Sequence, residues 1–342
     1  MEKIMIPPLD SNAAEVIKNN WAKMDKPLHS LGKLEEMVEK YAAMTGTALP
    51  DKIKSAMLLM CGDHGIAKYG VSAYPQEVTM QMINGYMRET AGANVMARHA
   101  GADVFVIDAG TAFDLSAMPK VHQEKVAWGT KDFTQGPAMT VEQAEKALKV
   151  GMKVADECID KGYNLLVTAE MGIGNTTSTA AIVSAFLGLP PELTVGRGTG
   201  INDERMAIKR KVVADGLAKN QPRLGDAMDI LCKVGGYDHA GLAGMILAGA
   251  RRRIPTMVDG VNATAAALLA YALEPACADY MLCSHLSAEI SHAKMLEVLR
   301  LTPIVDAGMR LGEGTGASLA IVILQMAINT YKELYKRGGM HA

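Results

Sequence analysis

The stretch NLLVTAEMGIGNTTSTAAI, residues 164–182, decides the fold. It opens with a short apolar run, passes through a turn that contains two glycines, and continues in a helical pattern of small and apolar residues. Four further apolar runs lead into polar or glycine-rich turns, at residues 56–61, 103–107, 255–258 and 279–283. Short apolar strands that alternate with helices are typical of a mostly parallel sheet with helices on both faces. The sequence therefore predicts an α/β fold.

Helical patterns at both chain ends fall outside this alternation. They cover residues 12–23, 31–44 and 314–334. We expect residues 1–45 and 314–342 to form a small helical domain and residues 46–313 to form a large α/β catalytic domain. Ligands of parallel sheets bind at the carboxyl ends of the strands, so we expect several loops to build the site together.

Composition excludes several classes of protein. The formal net charge of -2 offers no surface for nucleic acid or an anionic membrane. The most apolar long stretch, residues 263–283, is interrupted by charged residues and a proline, so it does not predict a membrane span. Five cysteines without a CxxC pair argue against a disulfide framework or a zinc site. With no apolar signal segment at the start of the chain, we expect a cytoplasmic protein.

The turn AEMGIGNTT, residues 169–177, has the features of a phosphate site. Gly172 and Gly174 let the backbone approach a ligand, and a helix N-terminus favours an anion. Three side chains at the helix start add donors: Asn175, Thr176 and Thr177. The turn lacks GK[ST], and a threonine replaces the third glycine of a dinucleotide fingerprint. Spacing alone favours the alternative, an ordinary capped turn.

Two other segments suggest ligand contacts. GRGTG, residues 196–200, precedes a helix that carries Lys209 and could form a second phosphate wall, although alone it is better explained as a flexible turn. In SAYPQEVTMQM, residues 72–82, Tyr74 could stack on an aromatic ligand and Gln81 could bond to its edge. The alternative for that segment is a turn that starts a helix, with a glutamine on the surface.

Two glutamates lie beside glycine-rich turns. Glu313 stands between two glycines in RLGEGTGA, residues 310–317. A partly apolar site would raise its pKa from about 4.3 toward neutrality and make it a general base. Spacing alone favours a solvated loop glutamate. Glu170 could converge on the same site, and paired carboxylates push their pKa values apart. Histidines near turns, such as His64 and His239, are interpreted as structural, and no metal is expected.

Taken together, eight segments occur in the order found in the nicotinate-nucleotide–dimethylbenzimidazole phosphoribosyltransferase family of cobamide lower-ligand assembly, which the chain resembles. They are GDHGI, VSAYPQEVTMQM, EMGIGNTTSTAAI, GRGTGI, the GG–AGLAG segment, DG, SHLSAE and RLGEGTGA. The resemblance implies a Rossmann-like large domain, a small helical domain built from both chain ends, and a dimer. It also implies a metal-independent reaction with no cofactor, in which nicotinate mononucleotide and an aromatic base are the substrates.

The resemblance also implies roles for individual residues. Glu313 corresponds to the general base and Glu170 to the second carboxylate. Phosphate and ribose contacts are implied for Gly172, Gly174, Asn175, Thr176, Thr177, Gly200 and Lys209. An acceptor pocket is implied for Ser72, Tyr74, Gln81, Met309 and Leu311.

The chain departs from the family pattern at residues 237–239 and at residues 290–291. These departures leave the accepted base open, including a phenolic acceptor used by a heterodimer of related subunits. A non-catalytic partner subunit is a second alternative, against which the intact RLGEGTGA and EMGIGNTT segments argue. A nicotinamide-dinucleotide oxidoreductase is a third, and the missing GxGxxG motif argues against it.

Overall fold

A computed structural model describes residues 4–46 and 52–338 of the chain. Its centre is a six-stranded sheet in which all neighbouring strands are parallel, in the order β3-β2-β1-β4-β5-β6. The strands are β1 (Ser55–Gly62), β2 (Ala102–Gly110), β3 (Val121–Gln123), β4 (Leu165–Met171), β5 (Thr256–Val258) and β6 (Met281–Cys283). This is the strand order of doubly wound Rossmann folds, and it confirms the predicted fold class.

Helices cover both faces of this sheet. They are α1 (Ser11–Lys23), α2 (Lys33–Thr45), α3 (Val78–Met87), α4 (Gly92–Ala100), α5 (Val141–Asp160), α6 (Asn175–Leu187), α7 (Asp203–Asn220), α8 (Ala227–Val234), α9 (Tyr237–Arg251), α10 (Val261–Leu273), α11 (His292–Leu299) and α12 (Thr315–Gly338). None of the helices in the described residues has both the length and the apolar character needed to cross a bilayer.

The two central strands explain why the sequence folds this way. Every residue of β1 and of β4 is buried, because helices cover both faces of the sheet at these positions. β1 pairs with β2 on one side and with β4 on the other, so the direction of winding reverses between β1 and β4. A crevice opens at such a reversal, beyond the carboxyl ends of the strands.

The structure differs from the sequence prediction in several elements. β4 continues through Glu170 to Met171, because pairing with β1 extends to the register Cys61–Met171. The turn predicted to begin at residue 169 therefore begins three residues later, at Gly172. Strand β3 and helix α8 are missing from the sequence prediction. The helical pattern of residues 288–300 predicts a longer helix than the structure has, since α11 begins only at His292 and ends at Leu299.

The terminal helices pack together, as expected for a small helical unit. The ring of Trp21 in α1 meets the ring of Tyr331 in α12 edge to face, with centroids 5.0 Å apart. Asn20 Nδ2 donates a hydrogen bond of 2.8 Å to the hydroxyl of the same tyrosine. The division into domains at residues 45 and 314 stays a prediction. Its first boundary borders residues 47–51, which lie outside the described residues, as do residues 1–3 and 339–342 of the predicted helical domain.

Candidate active site

A cavity of about 660 Å³ opens at the carboxyl ends of β4, β5 and β6. Its wall is built from six separate parts of the chain, as expected for a site at the edge of a parallel sheet. The lining residues are Ser72, Tyr74, Val78, Met82, Glu170–Thr176, Gly198, Thr199, Gly260–Asn262, His285, Ser287, Glu289 and Arg310–Glu313.

The end of β4 and the start of α6 form the floor of this cavity. Gly174 precedes α6 with φ of 99°, a conformation that favours glycine, and the helix begins at Asn175. Asn175 Nδ2 donates a hydrogen bond to Glu170 Oε2 across the turn. A Cβ at Gly172 would lie 1.8 Å from the carbonyl oxygen of Gly62, so only glycine fits where this turn crosses β1. The helix N-terminus therefore faces the cavity beside a buried carboxyl group.

Glu313 lies on a turn of unusual conformation directly before α12. Its φ is 57°, and the flanking Gly312 and Gly314 have φ of 79° and 74°. Asp259 at the end of β5 holds this turn, because its carboxylate accepts from Gly314 N at 3.1 Å and from Ala317 N at 2.9 Å. Left-handed backbone at a residue other than glycine is strained and persists where the surrounding structure fixes it. The strained turn directs one carboxyl group into the cavity.

The two glutamates converge on one site. Glu170 and Glu313 both line the cavity, and a Cβ at Gly312 would lie 2.4 Å from Glu170 Oε1. Their side chains are almost fully buried, with 6% and 7% exposed. Glu313 Oε2 has no hydrogen-bond partner within the described residues. A buried carboxyl oxygen without a partner is poised to meet a group from a ligand.

Burial sets the protonation of both groups. It raises the pKa of Glu313 to about 7, with the Tyr86 hydroxyl acting against this shift and the charge of Asp259 adding to it. It raises the pKa of Glu170 to about 8, against a hydrogen bond from Asn262 and together with nearby carboxylates. At neutral pH most Glu170 is therefore protonated, whereas about half of Glu313 is ionised. A base with a pKa near the working pH is well matched to proton transfer.

The GRGTG segment forms a second wall, which two charged side chains hold in place. Glu289 Oε1 accepts from Gly198 N at 2.9 Å, and a Cβ at Gly196 would lie 1.8 Å from Glu289 Oε2. Lys209 is fully buried, and its Nζ donates to Thr176 Oγ1 at 2.8 Å and to Gly196 O at 3.1 Å. Burial lowers the pKa of this lysine to about 8, although Glu289 acts to raise it. Lys209 therefore ties the second wall to the first turn of α6.

The opposite side of the cavity is more apolar and more open. Tyr74 is 54% exposed and Leu311 is 60% exposed, and both line the cavity. Hydrogen bonds hold the segment that carries Tyr74 to the GRGTG loop. Ser72 Oγ lies 3.1 Å from Thr199 Oγ1, and Ala73 N donates to Thr199 Oγ1 at 2.8 Å. An aromatic ring could enter between these side chains from solvent.

Most of the residues singled out in the sequence lie in this wall, but five do not. Gln81 is exposed, and Met309 is half-buried, with its carbonyl bonded to Ala288 N at 3.0 Å. Thr177 is buried beneath the turn, Lys209 lies behind the wall, and Gly200 lies outside it. No ligand contact of these five follows from the geometry, and their roles stay predictions.

Sequence reasoning about individual residues missed part of the lining. Asn262, His285, Glu289 and Arg310 all face the cavity. His285, Glu289 and Arg310 belong to segments that carry the family resemblance, but the sequence predicted no role for these three side chains. Asn262 stands in the apolar sequence of α10 and carries no such signal. Among the described residues, the cavity wall contains no group of three side chains arranged to hold a metal ion.

Fold and site together define a doubly wound α/β protein with a cavity in which a helix N-terminus lies beside two buried carboxyl groups. Residues 6–338 match the family model described as phosphoribosyltransferase. The chain is 46% identical over 329 residues to the nicotinate-nucleotide–dimethylbenzimidazole phosphoribosyltransferase of Chloroflexus aggregans, covering 96% of this chain and 93% of that protein. It is also 46% identical to the protein of the same name from Geobacter sulfurreducens, covering 94% and 92% of the two chains.

Among solved structures, CobT from Thermus thermophilus matches with a TM-score of 0.90 and 40% identity. The match covers 94% of this chain and 96% of that one. The chain therefore belongs to the phosphoribosyltransferase family that its sequence motifs resemble, and it is a pentosyl-transferring enzyme. This membership removes the alternative of a nicotinamide-dinucleotide oxidoreductase.

Proposed function

We propose that the chain transfers the phosphoribosyl group of nicotinate mononucleotide to dimethylbenzimidazole or a similar aromatic base, for cobamide (vitamin B12) lower-ligand synthesis. The observation that carries this proposal is the convergence of Glu170 and Glu313 beside the N-terminus of α6. The names of the relatives support the choice of substrates.

The phosphate of the donor is assigned to the floor of the cavity. Gly172, Gly174, Asn175 and Thr176 present backbone and side-chain donors at the start of α6, where the helix dipole favours an anion. Lys209 supports this region through Thr176 Oγ1. Glu170, mostly protonated at neutral pH, adds little repulsion toward the phosphate.

The reaction breaks the bond between C1′ of the ribose and the nicotinate nitrogen. A bond forms between C1′ and the acceptor nitrogen on the opposite face, which gives an α-riboside phosphate and nicotinate. Glu313 receives the proton that the acceptor loses, through the buried Oε2 that has no partner in the described part of the chain. A positioned general base of this kind contributes ~10²–10⁴ to the rate. Positioning of the two substrates adds to it.

The acceptor ring is assigned to the side of the cavity formed by Ser72, Tyr74 and Leu311. Tyr74 and Leu311 offer apolar surface, and Glu313 closes the inner end. No observation favours a phenolic acceptor or a non-catalytic subunit, since the Chloroflexus and Geobacter relatives are both named for dimethylbenzimidazole.

Release of nicotinate tests this function directly. Purified chain would be incubated with nicotinate mononucleotide alone and then with benzimidazole, purine and phenolic acceptors, and the products identified by mass. We expect nicotinate release only with an acceptor, together with a product whose mass equals acceptor plus phosphoribosyl. Release of nicotinate without any acceptor product would contradict a transferase.

The same proposal includes a homodimer in the cytoplasm. A second cavity of about 570 Å³ lies between α4 and α12, beside the exposed apolar side chains Val322 and Met326. We assign this surface to a second copy of the chain, because most soluble oligomers are homo-oligomers. Five free, buried cysteines support a reducing compartment. Light scattering of the purified chain would give the dimer mass, and Met326→Glu should reduce it to the monomer.

A further inference from the structure

Three ionisable side chains meet in the core behind the active-site cavity: His64, Asp238 and His239. His64 follows β1 in the GDHG turn, and the other two residues begin α9. Each is about 1% exposed. The cluster lies directly beneath residues 172–174, here called the phosphate turn because the phosphate is assigned to it. A Cβ at Gly174 would come within 3.2 Å of the His64 Cβ. The assigned reaction uses none of these side chains.

The cluster brings polar atoms together but satisfies only some of them, because His64 Nε2 and Asp238 Oδ2 form a hydrogen bond of 3.3 Å. Asp238 Oδ1 lies 3.3 Å from His64 Nε2 and 3.1 Å from His239 Nδ1. Even so, Asp238 Oδ1 and His239 Nδ1 have no hydrogen-bond partner within residues 4–46 and 52–338, because the angles between them are poor. Unsatisfied buried polar atoms are rare and call for an explanation such as an unseen ion.

Asp238 has about 1% of its surface exposed. A carboxylate buried in this way needs a compensating positive charge. Either a histidine takes up a proton or a cation binds between the three side chains.

The distances favour a cation. In a tetrahedral site with bonds of about 2.0–2.1 Å, neighbouring ligand atoms lie about 3.3–3.4 Å apart. The two measured edges of 3.1 and 3.3 Å are close to this separation. The other ring nitrogen of His239 has a hydrogen-bond partner outside the cluster. His239 Nε2 lies 2.8 Å from Thr179 Oγ1, and that hydroxyl donates to Asn262 Oδ1 at 2.8 Å. Outer contacts of this kind orient histidines that bind metals.

We propose that His64 Nε2, Asp238 Oδ1 and His239 Nδ1 form a binding site for one divalent transition-metal ion of the Zn²⁺ type. Two imidazoles and one carboxylate are a donor set that suits such ions, and a water molecule would complete the coordination. The ion would join the end of β1 to the start of α9 beneath the phosphate turn. Its role is structural, so the proposal is independent of the substrates assigned above.

Metal content tests this site. The full-length chain would be produced with added Zn²⁺, purified without chelators, and analysed by mass spectrometry of the metal. We expect about one ion per chain in the wild type and in the control His99→Gln, whose histidine is exposed. The double variant His64→Gln with His239→Gln should contain almost none.

A second measurement keeps the test valid if the double variant fails to fold. Metal-free wild-type chain titrated with Co²⁺ should show the visible absorption of a tetrahedral site, which saturates at one equivalent and is displaced by Zn²⁺. A wild type that binds neither ion would overturn the proposal. So would a double variant that folds and retains the full metal content. The cluster would then be a buried ion pair with a protonated histidine.

Discussion

Replacing Glu313 by glutamine should stabilise the protein at alkaline pH. Folding raises the pKa of this carboxyl from 4.5 to about 7, chiefly because the group is buried. A group whose pKa is raised on folding destabilises the folded state as the pH rises from the unfolded pKa toward the folded one. At 1.36 kcal/mol per pKa unit, the cost reaches about 3 kcal/mol at pH 8 and is about 1 kcal/mol or less at pH 5. Glutamine has the same shape and cannot ionise.

Urea unfolding of the wild type and of Glu313→Gln at pH 5 and pH 8 measures this difference. We expect the variant to gain about 2 kcal/mol more at pH 8 than at pH 5. Glu333→Gln on the exposed face of α12, the helix that follows Glu313, is the matched control and should show no such change. A gain in Glu313→Gln that is equal at both pH values would refute the raised pKa, because the carboxyl would then be titrating as it does in solvent.

Three further changes test other parts of the site. Asp259→Asn removes a charged acceptor of two backbone N–H groups, so it should cost about 1.5–3 kcal/mol in thermal unfolding. It should also move the acidic limb of the pH–rate profile to lower pH, because the charge of Asp259 raises the pKa of the general base; an unmoved limb would contradict this. Gly172→Ala places a Cβ 1.8 Å from a backbone oxygen of β1 and should destabilise the fold by about 3 kcal/mol or more, whereas Gly136→Ala, with open space around it, should be neutral in the same assay. Lys209→Met should raise the KM for nicotinate mononucleotide about tenfold or more, because it removes the hydrogen bond from Lys209 Nζ to Thr176 Oγ1 at the start of α6. The exposed Lys211→Met is its control in steady-state kinetics, and equal effects of the two variants would contradict a role for the buried lysine.

The long buried strands could be predicted because β1 and β4 are covered on both faces and therefore read as continuous apolar runs. Strand β3 could not, since it has three residues and only Val121 is buried. Helix α8 has only eight residues, too few for a clear periodic pattern. The end of β4 was set too early because Glu170 is polar, whereas pairing with β1 keeps it within the sheet.

The parts of the active site that lie in glycine-rich turns could be predicted from the sequence. Glycines around Glu313 and after Glu170 mark close approaches and left-handed backbone, and these features are visible in the sequence. Contacts across the fold were not visible. Asn262 interacts with Glu170 only because α10 packs beside β4 and α6, and the apolar sequence of α10 gives no indication of this. Gln81 is the opposite case. The sequence predicts that it contacts the ligand, but its side chain is exposed to solvent.

The pH dependence of kcat/KM in the wild type and in Glu313→Gln tests the general base most directly. Nicotinate release from nicotinate mononucleotide would be followed with dimethylbenzimidazole as acceptor between pH 5 and pH 9. For the wild type we expect a rise of about tenfold per pH unit that levels off near pH 7, where the carboxyl becomes ionised. In the variant the rate should fall by ~10²–10⁴ and this limb should disappear. A variant that keeps both the rate and the limb would show that Glu313 does not take the proton.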